Sequence, residues 1–195
     1  MKFKELVTKA RTYRRYQQDK PVPMELLMEI IDTARVIPSA SNAQPLRYGL
    51  STSPEMNARL YPLVQWAPAI DDWPGPEEGQ RPVAYIAIAA DKNCPVPPQT
   101  DAGIAIQTIQ LALAEHGIGC CIFNHLDTEA IHAALGMPRY VNVLLAMSIG
   151  YPAKGEAVSI DELKKGQPYQ YYRDEQGLHH VPKRLLKDIV VASFP

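Results

Sequence analysis

The stretch "TDAGIAIQTIQLALAEHG", Thr100 to Gly117, decides the fold. Its apolar residues fall nearly all the way round a helix instead of along one stripe. Such a helix belongs in the middle of a domain or in a subunit interface. Gly117 is placed to cap its C-terminus. Downstream, "GCCIFN" is strand-like. "DTEAIHAALG" follows as a short helix with Asp127 as its N-cap, and "VNVLLAMSIGYP" is a buried strand.

Upstream, "DKNCPVPP" is a Pro-rich turn and "VAYIAIAA" a buried strand. Residues 67–82, "APAIDDWPGPEEGQRP", read as a long loop or lid. "PEMNARLYPLVQ" is helical with Pro62 as an interruption, and "LRYGLST" alternates like a strand. "PVPMELLMEIIDTARVIP" is a helix with Pro23 near its first turn and Pro38 after its end. Residues 3–12 place Phe3, Leu6, Val7 and Ala10 at helical spacing. The tail, residues 153–195, reads as polar and Tyr-rich, with one short helix in "PKRLLKDIV". Four or five helices and four strands in mixed order predict one α/β or α+β domain over residues 1–195. Its sheet is expected to be mostly antiparallel and to lie between helices.

The composition is that of an ordinary globular chain: 195 residues, 46% hydrophobic, 21% charged. A net charge of −1 gives no global attraction to nucleic acid or an anionic membrane. No apolar run is long enough to span a bilayer. The three cysteines are Cys94 and the adjacent pair Cys120 and Cys121, which is no disulfide framework. The N-terminus reads as a charged amphipathic helix, not a signal peptide, so a reducing cytoplasm is the expected compartment.

The usual signatures of side-chain chemistry are missing. The chain has no G-x-G-x-x-G after a strand, no P-loop, no G-x-S-x-G, no H-E-x-x-H and no C-x-x-C. Cys120, Cys121 and His125 match no common metal-ligand spacing, and adjacent strand residues point to opposite faces. No metal site is expected, and the thiols read as buried and structural. The neighbours His179 and His180 read as exposed in a polar tail. No histidine pairs with an acid and a nucleophile. If the chain is an enzyme, an organic cofactor carries its chemistry.

Two features remain. "IPSASNAQPLRY", Ile37 to Tyr48, packs amides, hydroxyls and prolines into one short run. Such a run suits a solvated turn, or a site that reads the polar edge of a flat ring. The chain is also basic at both ends. Lys2, Lys4, Lys9, Arg11, Arg14, Arg15 and Lys20 lie near the start, and Lys183, Arg184 and Lys187 near the finish. Two basic ends on a near-neutral chain can converge on one anion, but from charge alone two solvated helix faces are the favoured reading.

Taken in order, these motifs resemble the FMN-dependent nitroreductase family. "ARTYRRYQQDKPVP" is similar to the family's entry motif, R-[ST]-x-R followed by a basic residue, an aromatic and Pro-Val. "PSASNAQPLRY" resembles P-S-x-x-N-x-Q-P-[WL]-x-[FY], the most specific match. "DAGIAIQTIQLALAEHGIGCC" is similar to the family's central helix and the strand entry after it. "IGYPA" and "VPKR" resemble its late elements. The resemblance covers nearly the whole chain.

It implies an α+β, nitroreductase-like fold in a domain-intertwined homodimer, with FMN at the subunit interface and the tail wrapping the dimer. It assigns Arg11 and Thr12 to the FMN phosphate, joined by Lys183 and Arg184 from the C-terminal end. A phosphate dianion suits guanidinium groups. Arg14 is assigned to the pyrimidine side of the ring. Pro38, Ser39, Asn42 and Gln44 are assigned to the flavin of the other subunit. Ile122, Phe123 and Asn124 are expected against the ring, with Gly150 and Tyr151 close by. Many relatives carry arginine where this chain has Ala10, so either one phosphate contact is missing or Lys9 substitutes for it. Trp66, Trp73, Tyr169, Tyr171 and Tyr172 are pocket candidates. The implied activity takes hydride from NAD(P)H and reduces a small electron-poor acceptor: a nitroaromatic, quinone or enone. A flavin-binding dimer without turnover, another flavin reaction on the same fold, and a thiol redox protein using Cys120 and Cys121 stand as alternatives.

Overall fold

Four strands organise residues 2–66 and 75–154: β1 (Leu46–Ser51), β2 (Ala84–Asp91), β3 (Gly119–Phe123) and β4 (Val141–Gly150). Every pairing is antiparallel, in the order β1-β2-β4-β3. β2 and β4 lie in the middle, covered on both faces, and so read as nearly continuous apolar runs. The computed structural model describes residues 2–68, 70 and 73–194.

The helices are set by local signals. α1 is Phe3–Lys9. α2 (Met24–Arg35) starts after Pro23 and buries Leu27, Ile30 and Ala34, one face at helical spacing. α3 (Pro54–Leu60) is capped by Ser53, whose hydroxyl accepts the Met56 N–H at 3.2 Å. It passes into a short tight turn of helix at Pro62. α4 (Gln99–Glu115) ends as Gly117 turns left-handed at φ +71° and the Ile118 N–H returns to the Leu113 carbonyl at 2.9 Å. α5 (Thr128–Ala134) is capped by Asp127, which accepts the Ala130 N–H at 2.9 Å.

α2 and α4 pack on one face of the sheet. Leu27, Ile30, Ile86, Ile88, Ile109, Leu113, Met147 and Ile149 form the core there. Each such side chain stabilises the fold by about 1.5–3 kcal/mol relative to leaving it in water. The expected strands, the central helix and the antiparallel sheet are all present. Residues 67–82 contain no helix or strand among those described; Ala69, Asp71 and Asp72 of that expected loop lie outside the described residues.

Residues 67–74 and 155–195 cluster as a second unit. It holds β5 (Val158–Glu162), β6 (Tyr172–Arg173), β7 (His179–Lys183) and α6 (Leu186–Ile189). β5 runs parallel to β7, and β6 antiparallel to it. The sequence reading expected only a short helix here. These strands are short and polar, and ion pairs tie them. Arg173 bonds Glu156 at 2.7 Å with both side chains largely shielded from water. His179 and His180, expected to be exposed, are not. His179 is buried, and His180 lies between Asp161 at 2.7 Å and Asp174 at 3.1 Å, its ring stacked on Tyr172.

Candidate functional site

Residues 11–16 form a strap across β3 and the end of β4. Thr12 bridges Cys120, and the Tyr13 N–H donates to the Cys120 carbonyl at 2.9 Å. Gly119 and Gly150 pair across β3 and β4, and the rings of Tyr13 and Tyr16 rest directly on them. A Cβ on Gly119 would lie 2.6 Å from the Tyr13 ring, and one on Gly150 2.9 Å from the Tyr16 ring. This close approach accounts for glycine at 150. The Tyr16 hydroxyl donates to the Tyr13 carbonyl at 2.6 Å and lies 2.8 Å from the Ser148 hydroxyl. Burial raises the Tyr16 pKa far above the ordinary phenol value.

The strap's two candidate arginines differ. Arg11 is half-buried at the C-terminus of α1. Its Nε donates to the Ala10 carbonyl at 2.8 Å and one Nη to the Val7 carbonyl at 3.0 Å. Both partners are neutral, so the cation has no carboxylate partner among the described residues. Arg14 is buried against the Cys121 thiol. Burial pushes Cys121 up to about 11, while the Arg14 guanidinium pulls it the other way. Cys120 turns to the opposite face, into the apolar core, and burial raises its pKa further still. Neither thiol is a thiolate at neutral pH, and a thiolate is the nucleophilic form. Ala10 is buried, and Lys9 stands exposed in the last turn of α1.

At the other end of β3, Phe123 is buried with its ring edge-on to Trp66 at 4.8 Å, and Trp66 leans on Tyr61 at 5.4 Å. Ile122 is half-buried and Asn124 exposed. Trp66 therefore packs the sheet. Tyr172, stacked on His180, and Trp73, beside Arg173, have packing partners too.

The Pro38–Gln44 loop is held from α4. The Ser39 hydroxyl donates to the Asp101 carboxylate, and the Ala40 N–H reaches the same carboxylate at 3.2 Å. Ser39 in turn accepts the Gln44 N–H at 2.8 Å. Ser41, Asn42 and Gln44 take left-handed backbones with φ of 51°, 53° and 51°. For residues other than glycine that conformation is uncommon and costly, and the hydrogen bonds through Asp101 and Ser39 hold it. Asn42 and Gln44 are exposed, and the Gln44 side-chain amide donates back to the Asn42 carbonyl at 3.1 Å. Sequence reasoning missed Asp101, the buried anchor of this loop. A lone carboxylate at the head of an otherwise apolar helix was the available signal.

The structure gathers only part of the candidate set. Arg11, Thr12, Arg14 and the β3 residues are together at one edge of the sheet. The loop leads into β1 at the opposite edge, three strand spacings away, or about 14 Å. Lys183 closes β7 and Arg184 follows it, both exposed, within the C-terminal unit. Among the described residues, no cluster of His, Cys, Asp and Glu is arranged to hold a metal, and no helix is long and apolar enough to cross a membrane.

Comparison with known proteins matches the Nitroreductase family model to residues 7–151. The chain is similar to an NADH dehydrogenase of Thermus thermophilus, at 28% identity over 174 residues, covering 75% of this chain and 84% of that protein. It is also similar to an iodotyrosine deiodinase of Thermotoga neapolitana, at 23% identity over 168 residues, covering 76% and 87% respectively. Among solved structures, an FMN and NADPH-dependent nitroreductase from Sphigopyxis sp. strain HMH aligns with a TM-score of 0.63 at 16% identity. That alignment covers 79% of this chain and 90% of the other, and at such identity it shows the fold. The nitroreductase-like α+β fold expected from the sequence is the one observed.

Proposed function

We propose that this chain, which belongs to the Nitroreductase family, is an FMN-dependent oxidoreductase that takes hydride from NAD(P)H, releases the oxidised nicotinamide, and then reduces an electron-poor acceptor such as a nitroaromatic, quinone or enone. When bound, FMN supplies the two-electron carrier between the two small molecules. Arg11 carries the reading. A half-buried guanidinium with only neutral carbonyls for partners among the described residues, on a strap pinned to β3, suits a phosphate monoester.

Arg11 and Thr12 are assigned to the phosphate, with Lys183 and Arg184 as further cations from the C-terminal unit. Arg14 is assigned to the pyrimidine edge of the ring. Ile122, Phe123, Asn124 and Gly150 would floor the site. Pro38, Ser39, Asn42 and Gln44 are assigned to the ring held by a second copy, because one chain carries loop and strap at opposite edges of its sheet. A homodimer also suits two surfaces. α4 leaves Gly103, Ile104 and Gln107 exposed, and the C-terminal segment exposes Leu186, Ile189, Val191 and Phe194. That segment is assigned to wrapping the second copy. Three free cysteines suit a reducing cytoplasm.

The test is the visible spectrum of the purified protein. A yellow protein that releases FMN on denaturation, is bleached by NADH or NADPH without oxygen, and is a dimer by light scattering agrees with the reading. A colourless protein that takes up no added FMN overturns it. The similarity to an iodotyrosine deiodinase favours a second reading, reductive dehalogenation of a halophenol. Turnover of a halophenol without turnover of nitroaromatics, quinones or enones would select it.

A further inference from the structure

We propose that the cavity between α3, the start of β2 and the segment after Tyr16 binds a small organic monocarboxylate. The cavity holds about 360 Å³, at the small end for ligand sites. It shares no residue with the strap, the strand end or the Pro38–Gln44 loop.

Its buried end is built of donors. Tyr85 lines it, and its hydroxyl is buried with no hydrogen-bond partner among the described residues; the same holds for Nε of Arg81. Buried polar atoms are nearly always partnered, so two exceptions in one cavity call for an explanation. The two are neighbours, since the Arg81 charge acts on the Tyr85 hydroxyl. The Tyr61 ring lies 4.5 Å from the guanidinium carbon and holds it in place.

The nearby polar groups are already committed. Asn57 accepts the Ser51 hydroxyl at 2.8 Å and donates to the Val83 carbonyl at 2.7 Å. The Tyr61 hydroxyl donates to the Pro76 carbonyl at 2.8 Å. What remains is a phenol O–H and a permanent cation, a pair that asks for an anionic acceptor. A planar carboxylate matches the guanidinium edge and leaves an oxygen for the phenol. Asp19 and Glu78 also line the cavity, exposed and not paired with Arg81, so a second negative charge on the ligand would be repelled. Pro21, Pro54 and Val83 offer an apolar wall to the rest of the ligand.

Benzoate titrated into the protein as purified, followed by amide NMR and calorimetry, tests this. Benzoate is expected to shift amides within residues 52–61 and 81–85. Benzamide and phthalate should bind more weakly. Arg81→Gln should weaken benzoate by about tenfold or more, and the near-isosteric Tyr85→Phe by several-fold. A folded Tyr85→Phe protein that binds benzoate as tightly as the parent overturns the proposal. So does benzoate that leaves those amides unmoved at about 20 mM, a concentration high enough to populate even a weak site. Benzoate that perturbs only the flavin absorbance sits at the cofactor, and also overturns it. Absence of flavin from the protein would refute the oxidoreductase reading and leave this test intact.

Discussion

Toward α2 and α4 the four-stranded sheet presents Ala84, Ile86, Ile88, Cys120, Met147 and Ile149. From adjoining positions its other face presents Ser51, Tyr85, Ser148 and Cys121, paired side by side in one row across the four strands. Strand alternation alone makes the difference. It sends Cys120 into hydrocarbon and Cys121 against Arg14. The apolar face holds the fold together. The polar face carries the strap, Tyr16 and the donors of the small cavity. Buried does not mean apolar here: Ser51, Tyr85, Ser148 and Cys121 form a closed row, with the Arg14 guanidinium against the thiol.

The largest expected effect lies on the apolar face. Ile149→Ala, at a fully buried position, should cost about 2–5 kcal/mol in urea unfolding. A loss under about 1 kcal/mol would mean this face is not the close-packed core. The strap gives the next effect. Gly119→Ala should cost about 1–3 kcal/mol, because its Cβ meets the Tyr13 ring. Adding Tyr13→Ala should recover part of that cost; no recovery would put the strain elsewhere. On the polar row, Tyr16→Phe should cost about 1–2 kcal/mol by leaving Ser148 without its phenol neighbour. A neutral or stabilising result would show that the Tyr16 hydroxyl adds nothing to stability.

The smallest effect separates the polar row from the polar cluster of the C-terminal unit. Burial lifts Tyr16, Tyr85 and Cys121 above their ordinary values, so the row should not titrate between pH 5 and 9, given as rough bounds. His180 behaves differently. Hydrogen bonds to Asp174 and Asp161 raise its pKa. Its contribution to stability is therefore full below the ordinary histidine value and lost as pH rises through the raised one. Asp161, lowered by Ser159 and His180, and Asp174, lowered by His180, contribute above the ordinary carboxylate value and lose that contribution as pH falls through the lowered ones. Hydrogen-exchange protection in β5–β7 should peak between those limits. His180→Gln should flatten that peak and leave protection in β1–β4 unchanged. A flat profile in the parent would break the contrast.

The order and type of elements in residues 3–150 were legible because each rests on local signals. Pro23 opens α2, Ser53 and Asp127 cap α3 and α5, Gly117 closes α4, and apolar runs mark the central strands. The polar run before β1 stood out as unlike core, whereas the basic residues near the start read from charge alone as a solvated helix face, and only the family resemblance assigned Arg11 and Arg14 to a ligand. The strands of the C-terminal unit were not. Their register rests on Arg173 with Glu156 and on His180 with two aspartates, pairs separated by 17, 19 and 6 residues that no periodicity announces.

Tertiary structure alone decided the rest. It placed the strap and the loop at opposite sheet edges, turned two adjacent cysteines into opposite environments, buried Asp101 beneath the loop, and set Arg81 beside Tyr85 over an otherwise committed polar wall. Propensity, capping and periodicity act within a few residues and are written in the local sequence. Which edge a strand takes, and which distant side chains share a cavity, depend on how whole elements bury their apolar faces together.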